Sequence, residues 1–132
     1  MYSAQVLDHF EHPRNVGEIA EADASAEIEN PACGDVLRLT LKMAGERIAD
    51  IRFKAKGCVP SIACASAMTV LVRGKNIREV KSLRRDLLVE ALGGLPQAST
   101  HAAQLALDAL SAALHSLSAA KHSSALHTSI PE

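Results

Sequence analysis

Tryptophan is absent from this chain, and one tyrosine and two phenylalanines are its whole aromatic complement. Stacking platforms for bases are therefore missing, which argues against an RNA or DNA binder. An excess of charge of either sign is missing too. The formal net charge is −1, so no global field draws in nucleic acid or anionic lipid. No apolar run is long enough to span a bilayer, and the N-terminus lacks the basic-then-apolar pattern of a signal peptide. The expectation is a cytoplasmic protein with neither nucleic-acid nor membrane partners. Cysteine is scarce, at three residues, and none forms a CxxC pair. An odd count in a reducing compartment points to metal, a reactive thiol or plain core, not to a disulfide framework.

At 132 residues the chain is large enough to bury a real core. With so few aromatics, that core must be built from Leu, Ile, Val and Ala. Residues 1–120 read as one domain. Residues 121–132, polar apart from Leu126 and Ile130, read as a flexible tail.

Alternation is clearest in residues 36–43, where Leu37, Leu39, Leu41 and Met43 interleave with Arg38, Thr40 and Lys42. That is the mark of a half-buried strand. A turn at Ala44-Gly45-Glu46 leads into a second strand over 47–56, with Ala49, Ile51, Phe53 and Ala55 on one face. A three-residue turn would pair Met43 with Arg47, Leu39 with Ile51 and Leu37 with Phe53. Extended past the strand ends, the same register sets Cys33 opposite Gly57 and Ala32 opposite Cys58. Weak alternation over 26–29 suggests an edge strand.

Helices account for the rest. Ser3 can cap a helix that runs to Phe10 and is ended by Pro13, and Arg14 to Gly17 read as a turn. Pro60 suits the first turn of a helix over 61–72 that is apolar on nearly every face and hence central. Short helices follow over 76–82 and 86–92. A last helix, capped by Ser99 or Thr100, runs to about Ala120 with Leu107, Leu110, Leu114 and Leu117 in its stripe. The fold class is α+β: a small antiparallel sheet packed against several helices.

Chemistry-bearing residues gather at element ends. Cys33 and Asp35 flank Gly34, Cys58 directly precedes a helix, and His101 stands in the first turn of another. Two thiols, a carboxylate and an imidazole can make a closed tetrahedral zinc site, or hold an iron–sulfur cluster through mixed ligands. The competing readings are plain. Cysteine is often core, Asp35 could be a turn or cap residue, and His101 a solvated one. Cys64 lies inside the apolar helix, roughly 120° round from Cys58, and reads as structural. His9, His12, His115, His122 and His127 read as surface or turn residues.

Asp8-His9-Phe10-Glu11-His12-Pro13-Arg14-Asn15-Val16-Gly17, then Asn30 to Asp35, then Phe53 to Cys58, resemble the U-type iron–sulfur scaffold family (IscU and the N-terminal domain of NifU). Order and spacing match over about residues 2–117. The resemblance implies an α+β scaffold, not an enzyme. Such a scaffold takes sulfur from a cysteine desulfurase, builds a [2Fe–2S] cluster and passes it to apo-protein acceptors, with zinc as an alternative occupant. It implies iron or cluster binding through Cys33, Asp35, Cys58 and His101, and contacts between copies (a homodimer) through Tyr2. Three departures stand out. The family's third cysteine, a sulfur acceptor, is here Ala102. Its chaperone-binding LPPVK is here Leu95-Pro96-Gln97-Ala98-Ser99, which counts against a dedicated Hsp70 partner. The small pair after the second cysteine is here Val59-Pro60. A zinc-binding or partner-binding paralogue that builds no cluster is the alternative these changes raise.

Overall fold

A computed structural model describes residues 1–31 and 34–129, with side chains through residue 117. Cys33 and the expected pairings of Ala32 and Cys33 lie outside the described residues. The chain runs α1 (Ala4–Glu11), β1 (Ala24–Glu29), β2 (Val36–Ala44), β3 (Arg47–Lys56), α2 (Val59–Val72), α3 (Ile77–Lys81), α4 (Arg85–Ala91), a 3₁₀ turn (Gln97–Ser99) and α5 (Thr100–Ser129). The backbone of α5 stays helical past the end expected near Ala120.

The three strands form an antiparallel meander in the order β1-β2-β3. Ala24, Ala26 and Ile28 stand beside Leu41, Leu39 and Leu37, and these in turn stand beside Ile51, Phe53 and Ala55. One sheet face is therefore apolar throughout. It is covered by α5 over β1 and β2 and by α2 over β3. As its composition requires, α2 is buried almost all round, from Pro60 to Thr69, with Ile62 half-buried.

The hairpin register differs from the expected one by two residues. Its turn is two residues long, Gly45-Glu46, with Gly45 at φ 64°, so Ala44 pairs with Arg47 and Met43 with Ile48. Left-handed backbone at the first turn position suits the right-handed twist of a hairpin. A bulge then places Lys42 opposite Asp50, and the ladder continues with Leu39 beside Phe53 and Leu37 beside Ala55. The bulge turns Ile48 into the core and leaves Ala49 exposed, reversing the expected alternation there. On the free edge of β3 the Ile48 N–H donates to the Lys75 carbonyl and the Gly74 N–H to the Ile48 carbonyl, so the outward-facing backbone groups beside the bulge are paired with the loop after α2.

Residues 14–23 are more than a turn. They form a strap along the edge of β3 and across the outer face of the sheet. Asn15 and Gly17 bracket Phe53: the Phe53 N–H donates to the Asn15 carbonyl and the Gly17 N–H to the Phe53 carbonyl. Farther on, the Ile19 N–H donates to Thr40 Oγ1, which explains why Thr40 is buried on the otherwise polar face. Asn15 holds φ 58°. Its side chain fixes that left-handed conformation, with Nδ2 donating to Thr69 Oγ1 (3.1 Å) and Oδ1 accepting from Arg73 (3.1 Å).

Candidate metal centre

Asp35 precedes β2, Cys58 follows β3 as the N-cap of α2, and His101 is the second residue of α5. The sheet brings the first two together. Continued past Val36–Lys56, the observed ladder, two residues from the expected register, sets Asp35 alongside Gly57. The approach is close: a Cβ on Gly57 would lie 2.7 Å from Asp35 Cγ and 2.9 Å from Oδ1. Glycine is there to admit the carboxylate. The loop before Asp35 is closed by its own backbone, Asn30 N–H donating to the Asp35 carbonyl (2.8 Å) and Gly34 N–H to the Asn30 carbonyl (2.7 Å).

One ligand atom from each of Asp35, Cys58 and His101 lies within 4.8 Å of the others. Neighbouring ligands of a tetrahedral zinc, with bonds of about 2.0–2.3 Å, are roughly 3.3–3.8 Å apart, so small adjustments close the set around an ion. The site opens to solvent on one side: Asp35 is 6% exposed, whereas Cys58 and His101 are exposed. His101 is oriented from behind. Its Nδ1 lies 3.1 Å from the Ala98 carbonyl. A carbonyl can only accept, so Nδ1 is the donor here and Nε2 is the nitrogen turned to face a metal, the usual arrangement for a metal-binding imidazole.

Asp35 and Cys58 meet directly. The Cys58 thiol donates to Asp35 Oδ2 at 3.1 Å, and Ser61 donates to the same oxygen at 2.5 Å. Ser61 Oγ is also 3.2 Å from Cys58 Sγ. Sequence reasoning missed Ser61, reading it as the start of an apolar helix. A signal was present: three residues after the N-cap Cys58, a side chain in the first helical turn stands beside the cap.

Other candidates lie elsewhere. Cys64 is fully buried, and burial, with the nearby Cys58, pushes its thiol up to about 12. It is core, as its position implied. Ala102, beside His101, is 1% exposed and packs into the core. Tyr2 packs half-buried against the core. His12 caps the C-terminus of α1 and His115 is exposed on α5. The side chains of His122 and His127 are outside the described residues. His9 is not a plain surface residue: its Nδ1 is 2.7 Å from Ser66 Oγ, which also accepts the Arg14 N–H (2.9 Å). Among the described residues, no helix is long and apolar enough to cross a membrane.

Comparison with known proteins places this arrangement in a lineage. The family model for the NifU-like N terminal domain matches residues 1–124. Iron-sulfur cluster assembly scaffold protein IscU 1 of Archaeoglobus fulgidus is 46% identical over 110 residues, 83% of this chain and 72% of that protein. The IscU scaffold protein of Aquifex aeolicus is 42% identical over 111 residues, 83% of this chain and 71% of its own length. That of Escherichia coli is 41% identical over 113 residues, 83% and 88% of the two chains. The crystal structure of a NifU-like protein (N-terminal) from Brucella abortus shares the fold, with a TM-score of 0.72 at 21% identity over 88% of this chain and 93% of that one. A model matched over nearly the whole length and relatives above 40% identity agree with the motifs and the meander: the chain belongs to the NifU-like N-terminal domain family.

Proposed function

We propose that this protein is an iron–sulfur cluster assembly scaffold or carrier that holds iron or a [2Fe–2S] cluster as cargo. The observation that carries this reading is the meeting of Asp35, Cys58 and His101, ligand atoms within 4.8 Å, in a chain of this family. Cys33 is the fourth donor. The site has the required chemistry: thiolate and imidazole for a borderline metal, a carboxylate for charge balance, and an open side for delivery and removal. The role is that of a scaffold and not of an enzyme, because the cluster is cargo that is held and passed on. A cysteine desulfurase and apo-protein acceptors are its partners, and the cytoplasm its setting.

Ala102 favours a qualified form of this role. Its methyl group is buried and cannot accept sulfur or ligate, so sulfur transfer onto the site is impaired relative to a three-cysteine scaffold. The same residue supports the second reading, a relative that keeps zinc and builds no cluster. Iron, zinc and acid-labile sulfide per chain after anaerobic reconstitution separate the two. Equimolar iron and sulfide with charge-transfer bands, lost in Cys58→Ala, supports the carrier; tight zinc without sulfide overturns it. Ala102→Cys is expected to raise desulfurase-driven assembly by about 10-fold or more, the scale on which outer determinants of metal sites act. An unchanged rate would place the block elsewhere than at the missing thiol.

A further inference from the structure

Ser61 is buried at 6% exposure, yet its hydroxyl sits inside the candidate centre, not in the core beneath it. Its Oγ donates to Asp35 Oδ2 at 2.5 Å and lies 3.2 Å from Cys58 Sγ, while the thiol reaches the same carboxylate oxygen at 3.1 Å. Three polar atoms thus form a closed triangle supplied with two protons, one from the thiol and one from the hydroxyl. The thiol proton has to leave when sulfur binds a metal, and the carboxylate then loses one of its two donors in the triangle. The hydroxyl proton does not leave. It is in reach of both groups, so it can stay on the carboxylate or turn to the sulfur.

We propose that Ser61 is a positioning residue of this centre: its hydroxyl holds the Asp35 carboxylate against Cys58, so that the donors stay within ligand range before and after metal binding. The proposal rests on the reading that Asp35, Cys58 and His101 bind metal. Helix geometry is what makes Ser61 suitable. Cys58 caps α2, Pro60 stiffens the first turn, and Ser61 is anchored one step into a buried helix, so its hydroxyl is as fixed as the core. On another flank the Asp35 side chain lies close against the bare backbone of Gly57. The carboxylate is therefore clasped by a donor on one flank and fitted against bare backbone on the other.

The test is zinc affinity of the full chain, measured by competition with a chromophoric chelator. Ser61→Ala is expected to bind zinc about 10- to 100-fold more weakly than the parent, the usual loss when an outer partner of a ligand is removed. Ser61→Thr, which keeps the hydroxyl, should recover most of that loss. In an Asp35→Asn background, Ser61→Ala should have little further effect, because the charged partner it positions is gone. A general weakening of the fold would lower affinity in both backgrounds alike. Equal affinity of Ser61→Ala and parent, or an undiminished loss in the Asp35→Asn background, would overturn the assignment. Failure of the parent itself to bind zinc would instead overturn the metal-site reading beneath it, and its own titration shows that directly.

Discussion

Gly57 shows how far one absent side chain shapes the centre. Asp35 occupies the space where a Cβ would stand, with its Cγ at 2.7 Å, well inside van der Waals contact. The near atoms belong to the root of a short, hydrogen-bonded side chain that has nowhere to swing. Gly57→Ala should therefore push Asp35 out of line, weakening zinc binding by about 10- to 100-fold in the same chelator competition. The backbone conformation of Gly57 is not left-handed, so the change should cost the metal-free fold less than about 2 kcal/mol in urea unfolding. Retention of full affinity would mean that Asp35 does not serve the centre. From the sequence Gly57 was expected opposite Cys33, and its closeness to Asp35 was not foreseen. Ser61 went unread for a related reason: spacing along the chain shows which residues flank a ligand, but not which side chains fold back to touch it.

At the scale of elements, α1 and the strap are tied to α2 by polar contacts. His9 and the Arg14 N–H meet on Ser66, and Asn15 reaches Thr69 and Arg73. Burial, reinforced by the Arg14 guanidinium, holds the His9 pKa below its ordinary value of 6.5. The folded chain then binds fewer protons than the unfolded one between 6.5 and that lower value. Stability is accordingly full above pH 6.5 and falls as pH drops through the window. Urea midpoints at pH 7.5 and 5.5 should show this decline, and His9→Gln should flatten part of it; an unchanged slope would remove His9 as a source. The strands, α1 and α2 were legible because period-2 alternation, an N-capping serine and an all-apolar run are local signals. The bulge and the strap were not. Both lie where backbone groups at the edge of β3 meet partners distant in sequence: the Lys75 carbonyl that accepts the Ile48 N–H is 27 residues away. Two residues of error in the register put Cys33 where Asp35 stands. The closeness of the two segments survived that error; the identity of the meeting residues did not.

Over the whole molecule, the centre joins positions 35, 58 and 101, so an ion bound there would link the sheet to the first turns of both α2 and α5. Anything that binds the folded chain alone stabilises it, by about 2.7 kcal/mol at a free concentration 100 times the dissociation constant. For a chain of this size that corresponds to a rise in Tm of roughly 10 °C. Calorimetry with and without zinc should find it, and His101→Ala should lose most of it. A zinc-independent Tm in the parent would show that the three segments are held without help from the site. The strap bears on a different matter, the order in which the chain is made. Apart from Asp8, which pairs with Arg14, the partners of residues 14–23 named above leave the ribosome after them: Thr40 and Leu41 first, Phe53 later, then Ser66 and Thr69, and Arg73 last. A segment made early is thus among the last to be fastened, and Leu7, Phe10 and Val16, exposed even in the finished fold, travel through that interval with no helix beneath them.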